Sequence, residues 1–314
     1  MTALPVLAST REELDDILAR AREKGPVAFV PTMGALHAGH GSLMELARRR
    51  TDGPVVASVF VNPLQFGAGE DLDRYPRTLD DDLALCALHG VDVVFAPSVE
   101  EVYPGGEPQV TVEPGPLATV LEGRTRPGHF RGVLTVVAKL LGLVRPDVAV
   151  FGEKDYQQLV LVRRMVSDLC MAVEVVGAET VREDDGLAMS SRNRYLDPEQ
   201  RRAAGHVNLV LRAAQEAAPW GYDVALEAAR EELRRAHGVD LDYLAITRTD
   251  LSPLGDDAPP GTEGRVLVAA RVGSTRLIDN MPITIGASTD FSTDRSTDRS
   301  AGHGGDPTTT KGDS

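Results

Sequence analysis

The chain has 314 residues and a formal net charge of −14, with 42% hydrophobic and 25% charged residues. This composition is ordinary for a globular protein with a buried core, and the acidic charge argues against general nucleic-acid binding, which needs a basic surface. No apolar run approaches the roughly 20 residues of a membrane-spanning helix, and the N-terminus lacks the basic segment of a secretory signal. Two distant cysteines, Cys86 and Cys170, indicate buried free thiols, so we expect a cytoplasmic protein that does not bind membranes.

Strand-like and helix-like runs alternate along the first part of the chain. Runs typical of buried strands lie at residues 27–32, 54–62, 91–97, 147–152 and 173–179. Runs with helical spacing separate them, at residues 40–50, 79–90, 130–146 and 155–170. This alternation predicts an α/β domain over residues 1–180, with a parallel sheet covered on both faces.

The pattern changes near residue 181. Asp197 and Pro198 suit the N-cap and first position of a long helix, and a second helix is predicted at residues 223–237. Strand-like runs then lie at residues 239–247, 265–273 and 275–283. We predict a smaller α+β lid domain over residues 181–286. The remaining residues, 287–314, are rich in Ser, Thr, Asp and Gly, which predicts a disordered tail.

The loop PTMGALHAGH, residues 31–40, joins a predicted strand to a predicted helix. It therefore lies at the carboxyl edge of the sheet, where α/β proteins bind ligands, and beside a helix N-terminus, which suits phosphate. Gly34 and Gly39 allow close approach to the backbone. His40 stands where a P-loop needs Lys, which excludes that motif, and a metal site lacks a third ligand nearby. A turn with partly exposed histidines remains possible, but the HxGH spacing of His37 and His40 favours phosphate binding.

HxGH at this place resembles the HIGH-type motif of the nucleotidyltransferase superfamily, which includes the class I aminoacyl-tRNA synthetases. The second motif of that superfamily is a KMSKS-like loop, and this chain has AMSSRNRYL at residues 188–196. Ser190, Ser191 and Arg192 offer two hydroxyls and a guanidinium to phosphates. The resemblance implies a Rossmann-like, doubly wound sheet and attack on the α-phosphate of ATP.

Three further motifs narrow the resemblance: FVNPLQFG at residues 60–67, YPRTLDDDL at residues 75–83 and FGEKDYQQL at residues 151–159. With the two earlier motifs, and in the same order, they resemble the pantothenate synthetase (pantoate–β-alanine ligase) family over residues 26–285. The resemblance implies that ATP and pantoate form pantoyl adenylate and pyrophosphate, and that β-alanine then gives pantothenate and AMP. It also implies Mg²⁺ with ATP, and a homodimer.

The resemblance also implies roles for individual residues. The side chains acting on the phosphates are His37, His40, Lys154, Ser190, Ser191 and Arg192. The rest of the ATP-binding set is Pro31, Thr32, Met33, Gly34, Gly39, Gly152, Glu153, Asp155, Val181 and Met189. The pantoate-binding set is Met33, Asn62, Gln65 and Gln158. Asp81 is the candidate near Mg²⁺, although DDDL also suits the charged first turn of a helix. Arg126 and His129 are candidates for lying near the substrates.

One position departs from the family. Gly41 follows His40, where the family commonly has a bulkier residue, and glycine costs about 1 kcal/mol of helix stability relative to alanine. We therefore expect a looser first turn in this helix. Three other functions remain as alternatives: a nucleotidyltransferase with a different acceptor, a homologue that binds nucleotide as a regulator, and an RNA-binding synthetase fragment. Gln65 and Gln158 argue against the first, the complete phosphate-binding set against the second, and the acidic charge against the third.

Overall fold

The computed structural model describes residues 4–67, 69–70 and 72–286, and the predicted disordered tail lies outside them. The strands are Val6–Ala8 (β1), Ala28–Thr32 (β2), Val55–Val59 (β3), Val93–Phe95 (β4), Val148–Gly152 (β5), Glu174–Ala178 (β6), Val239–Arg248 (β7), Thr262–Val272 (β8) and Thr275–Ile285 (β9). The α-helices are Arg11–Ala21 (α1), Ala38–Arg50 (α2), Leu79–Leu88 (α3), Val99–Val102 (α4), Glu122–Thr125 (α5), His129–Val144 (α6), Tyr156–Asp168 (α7), Pro198–Ala217 (α8) and Tyr222–Arg235 (α9). Short 3₁₀ helices cover Arg22–Lys24, Pro63–Gln65, Leu72–Arg74, Pro116–Thr119, Glu153–Asp155, Ser191–Tyr195 and Ala218–Trp220.

Six strands form one parallel sheet in the order β1-β4-β3-β2-β5-β6, which confirms the predicted Rossmann-like α/β fold. From β2 the chain proceeds outward through β3 and β4, and then returns to place β5 on the other side of β2. Strand order therefore reverses between β2 and β5. Open α/β sheets bind ligands in the crevice at the carboxyl ends of the strands flanking such a reversal.

Helices cover both faces of this sheet. Alternate residues of β2 point in opposite directions, so Phe29 packs with α1, α6 and α7 while Ala28 and Val30 pack with α2 and α3. All three of these β2 side chains are fully buried. Burial on both faces explains why the strands read as unbroken apolar runs.

The smaller unit is an antiparallel sheet, β7-β8-β9, which packs with α8 and α9. This confirms the predicted α+β composition of the C-terminal part. The division after residue 180 stays a prediction; the parallel sheet ends at Ala178, and Arg182 already pairs with Asp279 of β9 at 2.6 Å.

Several elements lack a strong apolar pattern, and the sequence did not predict them. The strand β1 has three residues, and α4 and α5 have four each. The helix α1 begins with a capping box of Thr10 and Glu13 but buries only Leu14 and Leu18. Within the described ranges, no helix combines the length and the apolar character needed to cross a bilayer.

A buried ionic network joins the short helix α5 to the smaller sheet. Arg276 of β9 donates two 2.7 Å hydrogen bonds to the carboxylate of Glu122 in α5, and another to Asp242 of β7. The hydroxyl of Tyr243 also donates to Glu122, at 2.9 Å. The side chains of Arg276 and Glu122 are only 15% and 9% exposed. Their charges therefore depend on each other, because water cannot replace either partner.

Replacing Arg276 by Gln leaves Glu122 buried without its counter-charge. We expect the free energy of unfolding to fall by about 3–5 kcal/mol in urea titrations. The matched control is Arg145→Gln, which removes the ion pair with Asp15 that is 63% and 67% exposed. That change should cost less than about 1 kcal/mol. Equal losses in the two variants would contradict the assignment.

Candidate functional site

The turn between β2 and α2 is held by a buried carboxylate. Asp82, in the first turn of α3, accepts hydrogen bonds from the backbone N–H groups of Ala35 at 3.1 Å and Leu36 at 2.8 Å. Its side chain is 1% exposed, and burial raises its pKa although these bonds oppose the rise. The neighbouring Asp81 is exposed on the surface of the same helix. Asp82 therefore anchors the turn, while the magnesium role of Asp81 stays a prediction without a supporting contact.

The two histidines of the HxGH motif are oriented by backbone hydrogen bonds. His37 is the N-cap of α2, and its Nδ1 accepts from the N–H of Gly39 at 3.1 Å. The Nδ1 of His40 accepts from the N–H of His37 at 3.3 Å. A neutral imidazole whose Nδ1 accepts must carry its proton on Nε2. Both rings, with centroids 4.2 Å apart, therefore offer an Nε2–H donor.

The environment keeps both histidines uncharged at neutral pH. Burial lowers the pKa of His40 to about 3, and the neighbouring His37 and the ammonium of Lys154 act in the same direction. Burial and the charge of Lys154 also lower the pKa of His37. The pair can therefore donate hydrogen bonds to an anion without placing two positive charges side by side.

These histidines open onto a cavity of about 240 Å³ at the reversal of strand order. The predicted site residues that line it are Pro31, Thr32, Met33, His37, Gly39, His40, Asn62, Gln65, Gly152, Lys154, Asp155, Gln158, Val181, Met189, Ser190, Ser191 and Arg192. They come from four separate segments that the sequence motifs marked. The sheet brings these segments together because each follows a strand or packs against one.

Two residues predicted to bind ATP have other roles in the structure. Gly34 adopts φ +78°, and a side chain there would meet Asp82 and Val59, so the tight turn needs glycine. Glu153 faces away from the cavity and pairs with Arg265 of β8 at 2.8 Å. The sequence could not show this, because the partner of Glu153 lies more than a hundred residues away.

Lys154 and Asp155 follow β5 and lie beside the histidine turn. The ammonium of Lys154 is 3.6 Å from the carboxylate of Asp155, whose side chain is half exposed. Partial desolvation by the surrounding cleft opposes ionisation of Asp155, but the charges of Lys154 and Arg192 overcome this effect and lower its pKa. The backbone carbonyl of Lys154 accepts a 2.9 Å bond from Asn280 of β9. The position of Lys154 is therefore tied to the smaller sheet.

The loop after β3 carries two side-chain amides: Gln65 faces the cavity, and Asn62 holds Gln65 in position. Asn62 is 1% exposed and donates to Gln65 Oε1 at 3.0 Å and to the carbonyl of Gly132 at 3.2 Å. Its own carbonyl oxygen accepts from the hydroxyl of Tyr103 at 2.9 Å. Gln65 is less buried and contacts Met33. Asn62, which we predicted to bind pantoate, thus has its amide occupied in orienting Gln65.

The helix α6 supplies an apolar wall that the sequence motifs did not indicate. Val133, Val136 and Val137 line the cavity opposite the histidine turn. They lie inside an apolar helix, where nothing in the sequence separates a cavity wall from a core residue. A side chain at Gly132 would collide with the backbone of Leu64, so this glycine lets α6 pack directly on the Gln65 loop.

The MSSR loop closes another side of the cavity. Ser190 is the N-cap of the 3₁₀ helix Ser191–Tyr195, and its hydroxyl accepts from the N–H of Arg192 at 3.3 Å. The side chain of Asn193 donates to the carbonyl of Ala188 at 3.0 Å, and this bond links the two ends of the loop. The hydroxyl of Ser191 and the guanidinium of Arg192 belong to the same turn.

The space beside Gly41 is filled by another part of the chain. A side chain at this position would collide with the imidazole of His89 at the end of α3. His89 itself contacts Glu45 at 2.9 Å, one turn further along α2. His89 therefore packs against the first turn of α2. Our expectation of a looser turn considered helix propensity alone and left out this contact.

Comparisons with known proteins point to one family. A profile of the family described as Pantoate-beta-alanine ligase matches residues 6–282. A pantothenate synthetase from a Nocardioides species is 69% identical over 292 residues, covering 91% of this chain and 87% of the relative. A pantothenate synthetase from Nocardia farcinica is 56% identical over 264 residues, covering 84% and 81%.

Solved structures show the same similarity. Pantothenate synthetase from Thermus thermophilus superposes with a TM-score of 0.81 at 53% identity, covering 88% of this chain and 98% of that one. Pantoate-beta-alanine ligase from Francisella tularensis, complexed with beta-gamma ATP and beta-alanine, gives a TM-score of 0.73 at 34% identity and covers 88% and 97%. The similarity therefore extends over the whole α/β sheet and the smaller sheet.

Gly41→Ala separates helix propensity from packing. Helix propensity alone predicts that the free energy of unfolding of the variant increases by about 1 kcal/mol. The collision with His89 predicts instead that it decreases by about 1–3 kcal/mol. The double variant with His89→Ala should recover most of that loss, which a double-mutant cycle in urea unfolding measures. Gly142→Ala, in an open part of α6, is the control and should be stabilising. A stabilising Gly41→Ala would contradict the packing assignment.

The low pKa of His40 predicts a pH dependence of stability. The pKa is about 3 in the folded protein and 6.5 ordinarily, so the unfolded chain binds more protons between these values. Stability should therefore fall as the pH decreases from about 6.5 towards 3, with a slope of up to about 1.4 kcal/mol per pH unit from this group. His40→Gln should reduce the slope of unfolding free energy between pH 4.5 and 6. An unchanged slope would show that His40 protonates in the folded protein.

Proposed function

This chain belongs to the pantoate–β-alanine ligase family, and on that premise we propose that it joins pantoate to β-alanine in two steps at the cavity described above. The observation that carries the proposal is the pair of neutral imidazoles, His37 and His40, with Nε2–H groups beside Lys154 at the reversal of strand order. Neutral donors next to one ammonium suit a triphosphate whose charge moves during reaction. The product is pantothenate, and the reaction consumes ATP.

In the first step, a carboxylate oxygen of pantoate attacks the α-phosphorus of ATP, and the bond to the β-phosphate oxygen breaks. Pantoyl adenylate forms and pyrophosphate leaves. His37 and His40 donate to the oxygens that gain charge at the α-phosphate, and Lys154 stabilises the β- and γ-phosphates. Ser190, Ser191 and Arg192 contact the triphosphate from the opposite side. The arrangement acts by positioning and by charge stabilisation, without a covalent enzyme intermediate.

In the second step, the neutral amine of β-alanine attacks the acyl carbon of pantoyl adenylate. The bond between that carbon and the AMP oxygen breaks, and the new amide nitrogen releases a proton. AMP is the leaving group, so the energy of the ATP anhydride drives amide formation. The Francisella tularensis relative, complexed with beta-gamma ATP and beta-alanine, supports both substrates.

The remaining contacts are proposed from the family resemblance, and the lining of the cavity supports them. Gly152 and Asp155, at the end of β5, would bind the ribose hydroxyls, and Val181 and Met189 would border the adenine. Pro31, Thr32, Met33 and Gly39 bring backbone groups to the adenylate. Gln65 and Gln158 hold the hydroxyl and carboxylate oxygens of pantoate, with Met33 beside them. The valines of α6 contact its two methyl groups, which explains an apolar wall at that end.

The lid role of the smaller domain is supported by the contacts of the MSSR loop. Arg182 pairs with Asp279 of β9 at 2.6 Å and also donates to the carbonyl of Gly186. The side chain of Asn193 donates to Glu183 at 2.6 Å. Ser190 and its neighbours therefore move with the smaller sheet, and closure would deliver them to the phosphates.

Mg²⁺ is proposed to accompany ATP, with Asp81 as the candidate side chain near the ion. Among the described residues, no group of three or more His, Cys, Asp or Glu side chains is suited to hold a metal. Mg²⁺ commonly keeps several waters and binds through substrate phosphates, which fits a cavity with few acidic groups. The ion would reduce the charge of the triphosphate next to Lys154.

We also propose a cytoplasmic homodimer. Cys86 and Cys170 are both free, which suits a reducing compartment. Cys86 is buried as we predicted, but the prediction was wrong for Cys170, which is exposed just after the end of α7. The homodimer is proposed from the family resemblance. The other proposed partners are the small molecules ATP, pantoate and β-alanine.

The first step is tested by exchange of labelled pyrophosphate into ATP without β-alanine. We expect exchange that requires pantoate and Mg²⁺, and we expect His40→Ala to slow it about 10²- to 10³-fold. His206→Ala is the control, because His206 contacts Glu232 at 3.2 Å and lies outside the cavity. Exchange that does not need pantoate would favour a nucleotidyltransferase with a different acceptor. No exchange from a folded chain that binds ATP would favour a regulatory homologue.

A further inference from the structure

We rest this inference on the proposed function, in which β-alanine must be recognised after pantoyl adenylate has formed. β-Alanine has three carbons and a carboxylate that takes no part in bond formation. So small a substrate needs a cation to hold that carboxylate, and a guanidinium does so with two parallel hydrogen bonds. Among the described residues, the Lys and Arg side chains lining the smaller cavity are Arg126, Lys154 and Arg192.

Two of these cations belong to the phosphate end of the cavity. Lys154 is 3.6 Å from Asp155, and its charge lowers the pKa of both motif histidines. Arg192 lies in the MSSR loop and helps to keep Asp155 ionised. Both charges are thus directed at the polyphosphate and the ribose.

Arg126 lies at the other end, beside the pantoate-binding loop. The Nδ1–H of His129 donates to the carbonyl of Gln65 at 2.8 Å, which leaves Nε2 to accept from Nη1 of Arg126 at 3.0 Å. Burial and the charge of Arg126 lower the pKa of His129 to about 4, so this ring is neutral. On its other side, Arg126 binds both carboxylate oxygens of Glu70, at 2.7 and 2.6 Å. A side chain that is 18% exposed is therefore held by two partners.

The position of Arg126 matches the path of the second substrate. A larger cavity of about 530 Å³ adjoins the smaller one, and the cations Arg126, Lys154 and Arg192 line both. Of these three, Arg126 is the one bonded to the Gln65 loop, through His129. Pantoyl adenylate would fill the smaller cavity, with its acyl carbon near Gln65. An amine that attacks this carbon must then arrive from the larger cavity and pass Arg126.

We propose that Arg126 binds the carboxylate of β-alanine at the junction of the two cavities and thereby directs the amine at the acyl carbon. Glu70 is the counter-ion that occupies the guanidinium fork until the substrate carboxylate replaces it. This exchange of one carboxylate for another keeps the guanidinium paired throughout. His129 is a positioning residue, because it links the guanidinium to the Gln65 loop.

The test compares two amines that differ in the carboxylate. β-Alanine and 3-amino-1-propanol are supplied in turn with saturating ATP and pantoate, and kcat/KM is measured from AMP release. Pantoate-dependent pyrophosphate exchange without any amine reports the first step and confirms folding of each variant. The variants are Arg126→Gln, Arg126→Lys and Glu70→Gln. The control is Arg124→Gln, an exposed arginine two residues away that lines neither cavity.

For Arg126→Gln, we expect kcat/KM for β-alanine to fall about 10- to 100-fold, as for loss of a charged hydrogen-bond pair. The value for 3-amino-1-propanol and the rate of exchange should stay within about twofold. Arg126→Lys should keep part of the preference for β-alanine, and Glu70→Gln should lower the KM for β-alanine. Arg124→Gln should change neither amine.

Four results would overturn the inference. Equal losses of kcat/KM with both amines in Arg126→Gln would make Arg126 structural, and no loss with either amine would assign the carboxylate to Lys154 or Arg192. Loss of exchange in Arg126→Gln would place this residue in the first step. A higher KM for β-alanine in Glu70→Gln would contradict the claim that the substrate carboxylate replaces Glu70 on Arg126. Failure of the proposed function is distinguishable, because the unsubstituted chain would then show no pantoate-dependent exchange.

Discussion

The carboxylate of Asp82 is the contact on which the geometry of the site depends. It is buried under the turn after β2 and holds the N–H groups of Ala35 and Leu36. Without it, two backbone donors would lose their partners inside the protein, at a cost of about 1–3 kcal/mol each. The turn would also lose the constraint that starts α2 at Ala38 and places His37 at its N-cap. A residue that touches no substrate therefore determines where both imidazoles stand.

The site binds a polyanion in a protein whose net charge is −14, and local arrangement makes this possible. Few full positive charges line the smaller cavity, and part of the attraction comes from oriented N–H groups: two imidazoles and the start of a 13-residue helix. Such dipoles are already aligned before the ligand arrives, so little reorganisation accompanies the reaction. Neutral donors also avoid mutual repulsion when the cavity is empty.

The sequence predicted what depends on local pattern and on motif order. Buried strands, amphipathic helices and the HxGH turn at the sheet edge were all predicted, because periodicity and turn residues encode them. Residues whose roles depend on distant partners were not. Asp81 and Asp82 are equivalent in sequence, and only the packing of α3 shows which carboxylate points inward. Glu153 lies in a binding motif, yet a partner on β8 takes its side chain. The motifs predict where the site lies, but the tertiary contacts determine which role each side chain in it has.

The contact between Gly132 and the Gln65 loop has a further consequence. The helix α6 lies in the main hydrophobic core, and its backbone touches the loop that we propose to bind the acid substrate. The shape of the proposed acid pocket therefore depends on how α6 packs in the core. Exchanging surface loops alone would not change that shape. Evolution or design towards a bulkier acid has to begin by repacking α6. Such lineages would pass through less stable intermediates before any new preference emerged.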